Sequence, residues 1–205
     1  MIRRLAALLT LAVTGVAVFQ LRDAGADTGA DAGASAARPA AAPAAAGTPN
    51  SADEHFARMM VTHHEQAVRM SRALLAKGGA PERIRLIAEF IEHDQQREMD
   101  QIDGWLTAWG RPPASAPAAS APDAAEHSML TAAQLADLDR ADAAAAPGVF
   151  LRLMIEHHRG AIAMSRSVLE LPDGNAYIRD LAKHVVNEQT AENDAMTALL
   201  EAGSA

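Results

Sequence analysis

The chain has 205 residues, a net charge of −8, 3% aromatic residues and no cysteine. It is long enough for one domain with a real core, and its acidity argues against a nucleic-acid surface, which needs a basic face. The missing cysteines exclude disulfides and thiolate metal sites, so soft ligands must come from the nine methionines and eight histidines.

In chain order, the first segment has the form of an export signal. Arg3 and Arg4 precede an apolar run from Leu5 to Phe19, and Ala24-Gly25-Ala26 offers a small-residue cleavage site. We therefore expect residues 1–26 to be a signal peptide and the protein to be exported, periplasmic or secreted. The alternative is an uncleaved N-terminal anchor, although the run is short of the roughly 20 apolar residues of a span. Residues 27–50, rich in Ala, Gly, Pro, Asp and Thr, have no apolar period and are expected to form a disordered tether.

Residues 51–205 are expected to fold as a helical bundle. Low aromatic content disfavours sheet, whereas alanine, leucine, methionine and glutamate favour helix. Ser51 with Glu54 can cap a first helix that stops at Gly78-Gly79, and Pro81 suits the start of a second that ends before Gly110. This first hairpin spans 51–109. The linker at 110–130 contains a Pro/Ala/Ser-rich stretch, and Thr131 with Gln134 forms a capping box for a short helix at 131–141. A second hairpin covers 147–202, opened by Pro147 and turned at Leu171-Pro172-Asp173-Gly174. Short loops force antiparallel neighbours, so two hairpins predict a four-helix bundle.

The hairpins are copies of one unit. FARMMVTHHEQAVRMSR at 56–72 aligns with FLRLMIEHHRGAIAMSR at 150–166, with nine of 17 positions identical at an offset of 94. The same offset pairs Ile84 with Ile178, Gln95 with Gln189 and Glu98 with Glu192, which marks a duplication.

At 100° per residue, one stripe of the first helix holds Phe56, Met59, Met60, His63, Ala67, Met70 and Leu74. Its counterpart holds Phe150, Leu153, Met154, His157, Ala161, Met164 and Val168. His64 and His158 fall at the stripe edge, a position equally suited to a second, more exposed site. On the partner helices, Gln95 and Gln189 interrupt the apolar stripe, with Glu98 and Glu192 at its flank. Unpaired buried polar groups cost roughly 1–3 kcal/mol each, so two units making the same placement point to mutual satisfaction or to a bound ion.

Imidazole and thioether together suit a soft cation such as Cu(I) or Ag(I). The candidate ligands are His63, His64, Met60, Met70, His157, His158, Met154 and Met164. Gln95, Glu98, Gln189 and Glu192 are candidate partners that orient the imidazoles. The structural alternative is a core histidine bonded across the bundle, with methionine filling gaps. His55, His93, His127 and His184 are read as solvated.

The paired M-x-x-H-H-x-x-A-x-x-M blocks, each followed by a Q-x-x-E helix, resemble the DUF305 family, a domain of unknown function, in its two-unit form. Met60, His63, His64, Ala67, Met70 and Ser71 carry the match in one unit; Met154, His157, His158, Ala161, Met164 and Ser165 carry it in the other. The resemblance covers roughly residues 52–202. It implies a ferritin-like all-α bundle, usually exported in bacteria, with some members linked to copper binding and copper tolerance in the periplasm. It implies no established enzymatic activity.

The expected function is thus Cu(I) binding and buffering, with hand-over to another periplasmic copper protein as a further expectation. A ligand-free structural bundle is the first alternative. A di-iron enzyme is the second, disfavoured because Met60 and Met154 stand where that architecture needs glutamate three residues before histidine. Ser71 and Ser165 lie on plain helices with no turn to expose them, so no catalytic constellation is expected.

Overall fold

A computed structural model of the protein describes residues 47–114 and 129–203. The expected signal at 1–26, tether residues 27–46 and linker residues 115–128 lie outside the described residues. Those described form five helices and no strand: α1 (Ser51–Lys77), α2 (Glu82–Ala108), α3 (Ala132–Arg140), α4 (Ala146–Glu170) and α5 (Ala176–Gly203). None is long and apolar enough to cross a membrane.

The helix ends follow local chemistry. Asn50, not Ser51, caps α1: its side chain accepts from the backbone of Ala52 and Asp53, and Asp53 accepts in return from the Asn50 N–H. Gly78 takes a left-handed φ of 65° past the last turn, where a side chain would be strained. Thr131 and Gln134 form the expected capping box of α3. Pro147 sits in the first turn of α4, where its missing N–H costs no helical bond.

Asp53 also ties the units together. Its second oxygen accepts at 3.0 Å from the Asn175 N–H just ahead of α5, and both residues are buried. Asp53→Ala leaves two orphaned backbone donors, one at each helix start. We expect it to lower stability by about 2 kcal/mol. A urea midpoint unchanged in the variant would contradict this.

Packing follows the duplication. α1 packs on α2 and α4 packs on α5 in the same way, and α1 crosses α4 at the centre. One apolar cluster joins the C-terminal half of α1 (Ala67, Met70, Leu74) to the N-terminal half of α4 (Phe150, Leu151, Met154). The other joins Phe56, Met60 and Val61 to Ala161 and Val168. The two first helices therefore run antiparallel. Trp105 near the end of α2 stacks on Tyr177 near the start of α5, with centroids 5.5 Å apart. Leu130, Leu135 and Leu138 lay α3 over the first cluster, held by a Gln66 side-chain amide that bonds both the N–H and the C=O of Leu130.

Candidate metal centre

The consecutive histidines turn a corner between two interfaces. Neighbours on a helix differ by about 100°, and α1 is covered on one side by α4 and on another by α2. His63 faces α4, where its ring meets that of His157 with centroids 3.7 Å apart and planes tilted by 35°. His64 faces α2, where its Nε2–H donates to Glu98 Oε2 at 2.7 Å. The second unit repeats this: His158 Nε2–H donates to Glu192 Oε2 at 2.7 Å. His157 and His158 have centroids 6.2 Å apart.

All four rings are fully buried. This corrects the expectation that His64 and His158 suit an exposed site. A stripe counted on one helix assumes a single partner; each of these helices has two, and the buried arc is correspondingly wider.

Because each glutamate accepts from Nε2, the neutral ring of His64 or His158 carries its lone pair on Nδ1. Both Nδ1 atoms are buried with no hydrogen-bond partner, and the His157 nitrogens are poorly satisfied, with only a backbone interaction with His63. Burial holds the His157 imidazole well below its ordinary range, and the neighbouring His63, His158 and His64 push the same way. The centre thus brings four imidazoles into a space shielded from water, with two of the rings oriented by carboxylates. That arrangement suits metal ligation.

The methionines flank the ring pair. Met70 and Met154 share one apolar cluster, and Met60 shares the other with the half-buried Met164. Each cluster therefore holds one candidate methionine from each unit. Glu98 and Glu192 bond the histidines. Gln95 and Gln189 are buried, but neither Gln95 amide atom has a partner, nor does Gln189 Oε1.

His184 departs from the expectation that it is merely solvated. Its side chain is half exposed, yet its Nε2 lies 3.1 Å from Glu98 Oε1 and 2.6 Å from Glu188 Oε2. Bonds to Glu188 and then Glu98 raise its pKa to about 10, against the opposing pull of burial. Burial alone would raise the Glu98 carboxyl, but bonds from His184 and His64 overcome it and hold that group down to about 2. His55 and His93 are exposed, and His127 lies outside the described residues. Sequence reasoning also passed over Asp94 and Glu188, which lie beside Glu98 and His184. A signal was present: Asp94 and Glu188 are an offset pair, each directly before a paired glutamine.

Comparison with known proteins places this geometry among relatives. The family described as Domain of unknown function (DUF305) matches residues 53–200. A solved DUF305 fragment from Deinococcus radiodurans is 30% identical, with 75% of this chain and 97% of that chain covered and a TM-score of 0.65. A DUF305 protein from Streptomyces coelicolor, assigned as secreted, is 32% identical, with 76% and 95% covered and a TM-score of 0.67. CopM in its Cu(I)-bound form is 28% identical, with 75% and 98% covered and a TM-score of 0.58. No curated protein matches the sequence.

Proposed function

This chain belongs to the DUF305 family, and on that premise we propose that it is an exported metal-binding protein that takes up Cu(I) at the buried histidines where α1 crosses α4. The observation that carries the reading is the set of four fully buried imidazoles, with the Nδ1 atoms of His64 and His158 left without a hydrogen-bond partner. Such groups are costly in a dry core, and a ligand that accepts their lone pairs removes the cost. His63, His64, His157 and His158 would hold the ion. Met60, Met70, Met154 and Met164, three before and seven after His63 and His157, supply thioethers, a donor type that favours the monovalent state. Glu98 and Glu192 orient the rings of His64 and His158, as carboxylates do behind metal-bound histidines. The Cu(I)-bound form of CopM, 98% of whose chain is covered by this one, supports the choice of ion.

The apolar run behind Arg3 and Arg4 and the secreted relative from Streptomyces coelicolor support export. An acidic protein surface raises the local concentration of cations, in keeping with buffering and hand-over of the metal. We read the chain as a binding protein rather than an enzyme.

The test is competition with a Cu(I) chelator under anaerobic conditions. The full-length protein should hold Cu(I), and a variant with His63→Ala and His157→Ala should lose at least 100-fold in affinity. Retention of the parent affinity by that variant would remove these residues from the ligand set. In a metal-free preparation, Ag(I) should raise the melting temperature, because a ligand that binds only the native state must stabilise it. A melting temperature indifferent to Ag(I) and Cu(I) would favour a ligand-free structural bundle.

A further inference from the structure

A second cluster of metal-ligating side chains adjoins the imidazole centre where α2 faces α5, sharing with it Glu98, which bonds His64 through its other oxygen. Asp94 and Glu98 stand four residues apart on α2, and His184 and Glu188 stand four apart on α5. Residues at this spacing share a helix face. The two pairs meet, and one donor atom from each of the four residues lies within 4.8 Å of all the others. Asp94 and Glu98 are only 5% exposed.

Carboxylates brought this close repel one another unless cations intervene. Arg97 pairs with Asp94, and His184 reaches Glu98 and Glu188. Both cationic side chains are more than half exposed at their positions, at 61% and 51%, so water screens much of what they give.

A separate observation points to a ligand. Gln95 is 97% buried by its 3% exposure, and neither its amide oxygen nor its amide nitrogen has a hydrogen-bond partner. Gln189, equally buried, has an unpartnered Oε1. Both line a small cavity of about 10 Å³ together with Asp94, Glu98, Glu188 and Glu192. That is about the room for one water molecule or one ion. Uncharged buried amides aimed at such a cavity are not accounted for by acidic surface residues repelling one another.

We propose that Asp94, Glu98, His184 and Glu188 form a binding site for a divalent first-row transition cation, distinct from the Cu(I) centre. Three carboxylates and one imidazole form an oxygen-rich set with one nitrogen, which suits Zn(II) and Co(II) rather than a soft monovalent ion. Donors around tetrahedral zinc lie roughly 3.3 Å apart, so the helices need close only slightly. On binding, His184 releases its proton, and Arg97 yields Asp94 to the metal. Gln95 and Gln189 line the adjoining cavity, placed to bond a water held there beside the site. The site is not duplicated: the residue 94 positions before His184 is Phe90, which is exposed. One such site per chain therefore follows.

The test is a Co(II) titration of the full-length protein, read by its visible d–d absorption, with Zn(II) as competitor. One equivalent should bind and be displaced by Zn(II). His184→Phe, which installs the residue of the other unit at a half-exposed position, should weaken binding at least tenfold, as should Asp94→Asn. Neither should alter Cu(I) affinity. His157→Leu, aimed at the Cu(I) centre, should leave the Co(II) titration unchanged, which separates the two sites. The proposal is overturned if His184→Phe and Asp94→Asn bind Co(II) like the parent. It is equally overturned if His157→Leu abolishes Co(II) binding, or if the parent binds none at millimolar metal.

Discussion

His157→Leu is expected to abolish tight Cu(I) uptake while making the metal-free protein more stable. The ring is fully buried and its nitrogens are poorly satisfied, with only a backbone interaction with His63 to offset the loss of water. A polar group in that state costs roughly 1–3 kcal/mol, whereas leucine is of similar volume and adds apolar contact beside Ala161 and Met154. Loss of the ring contact with His63 offsets part of the gain, so about 1 kcal/mol of net stabilisation is expected, or roughly 3 °C in melting temperature for a domain of this size. The Cu(I) affinity should fall at least 100-fold. The opposite signs matter. A histidine kept for folding would destabilise when removed; one kept for a ligand stabilises the empty protein and disables the loaded one. Urea unfolding of metal-free protein and chelator competition read the two quantities. A variant that is less stable and binds as the parent does would make the ring structural.

The metal-free protein is also expected to be most stable near neutral pH and to lose stability on both sides, more steeply in acid. The folded His157 refuses a proton that the unfolded chain accepts below its ordinary 6.5. Each further pH unit of acidification then costs about 1.4 kcal/mol for that one proton. Glu98, held down to about 2 from 4.5, adds stability that is present above 4.5 and lost as the pH falls from there. His184 acts in the other direction. Its pKa is raised from 6.5 to about 10, so its contribution is complete below 6.5 and fades as the pH climbs toward 10. Its ring is half exposed, and solvent screening makes this alkaline limb shallow. Around His157 the facing groups are His63, His158 and His64; around His184 they are Glu98 and Glu188, with Asp94 and Arg97 adjoining. Chemical denaturation across the range should show the asymmetry. His157→Leu should flatten the acid limb, and His184→Gln the alkaline one. An acid limb as steep in His157→Leu as in the parent would rule out this cause.

Much of the fold could be read from residue patterns because each signal was local. The 94-residue offset announced two like units, the stripes from Phe56 to Leu74 and Phe150 to Val168 named buried faces, and Gly78, Thr131 and Pro147 marked helix ends. What stayed hidden depends on which helices become neighbours. His64 lay at the edge of its stripe, and nothing on α1 alone reveals that α2 covers that edge while α4 covers His63. His184 belonged to no stripe, yet it reaches Glu98 on another helix. Asp94 was passed over as a charged residue beside the stripe, although the duplication pairs it with Glu188. The cap at α1 moved from Ser51 to Asn50 because Asp53, three residues beyond Asn50, completes a reciprocal pair that Ser51 with Glu54 does not.

The contact between His63 and His157 takes one ring from each repeat. A solitary ancestral hairpin would supply only half of it, so the centre would first have arisen between two identical chains, each offering the same patch to the other. Joining the two units in one chain removes the need to find a second subunit and lets the halves differ. Phe90 on one arm and His184 on the other are a trace of that freedom: a homodimer would have been obliged to carry either residue twice.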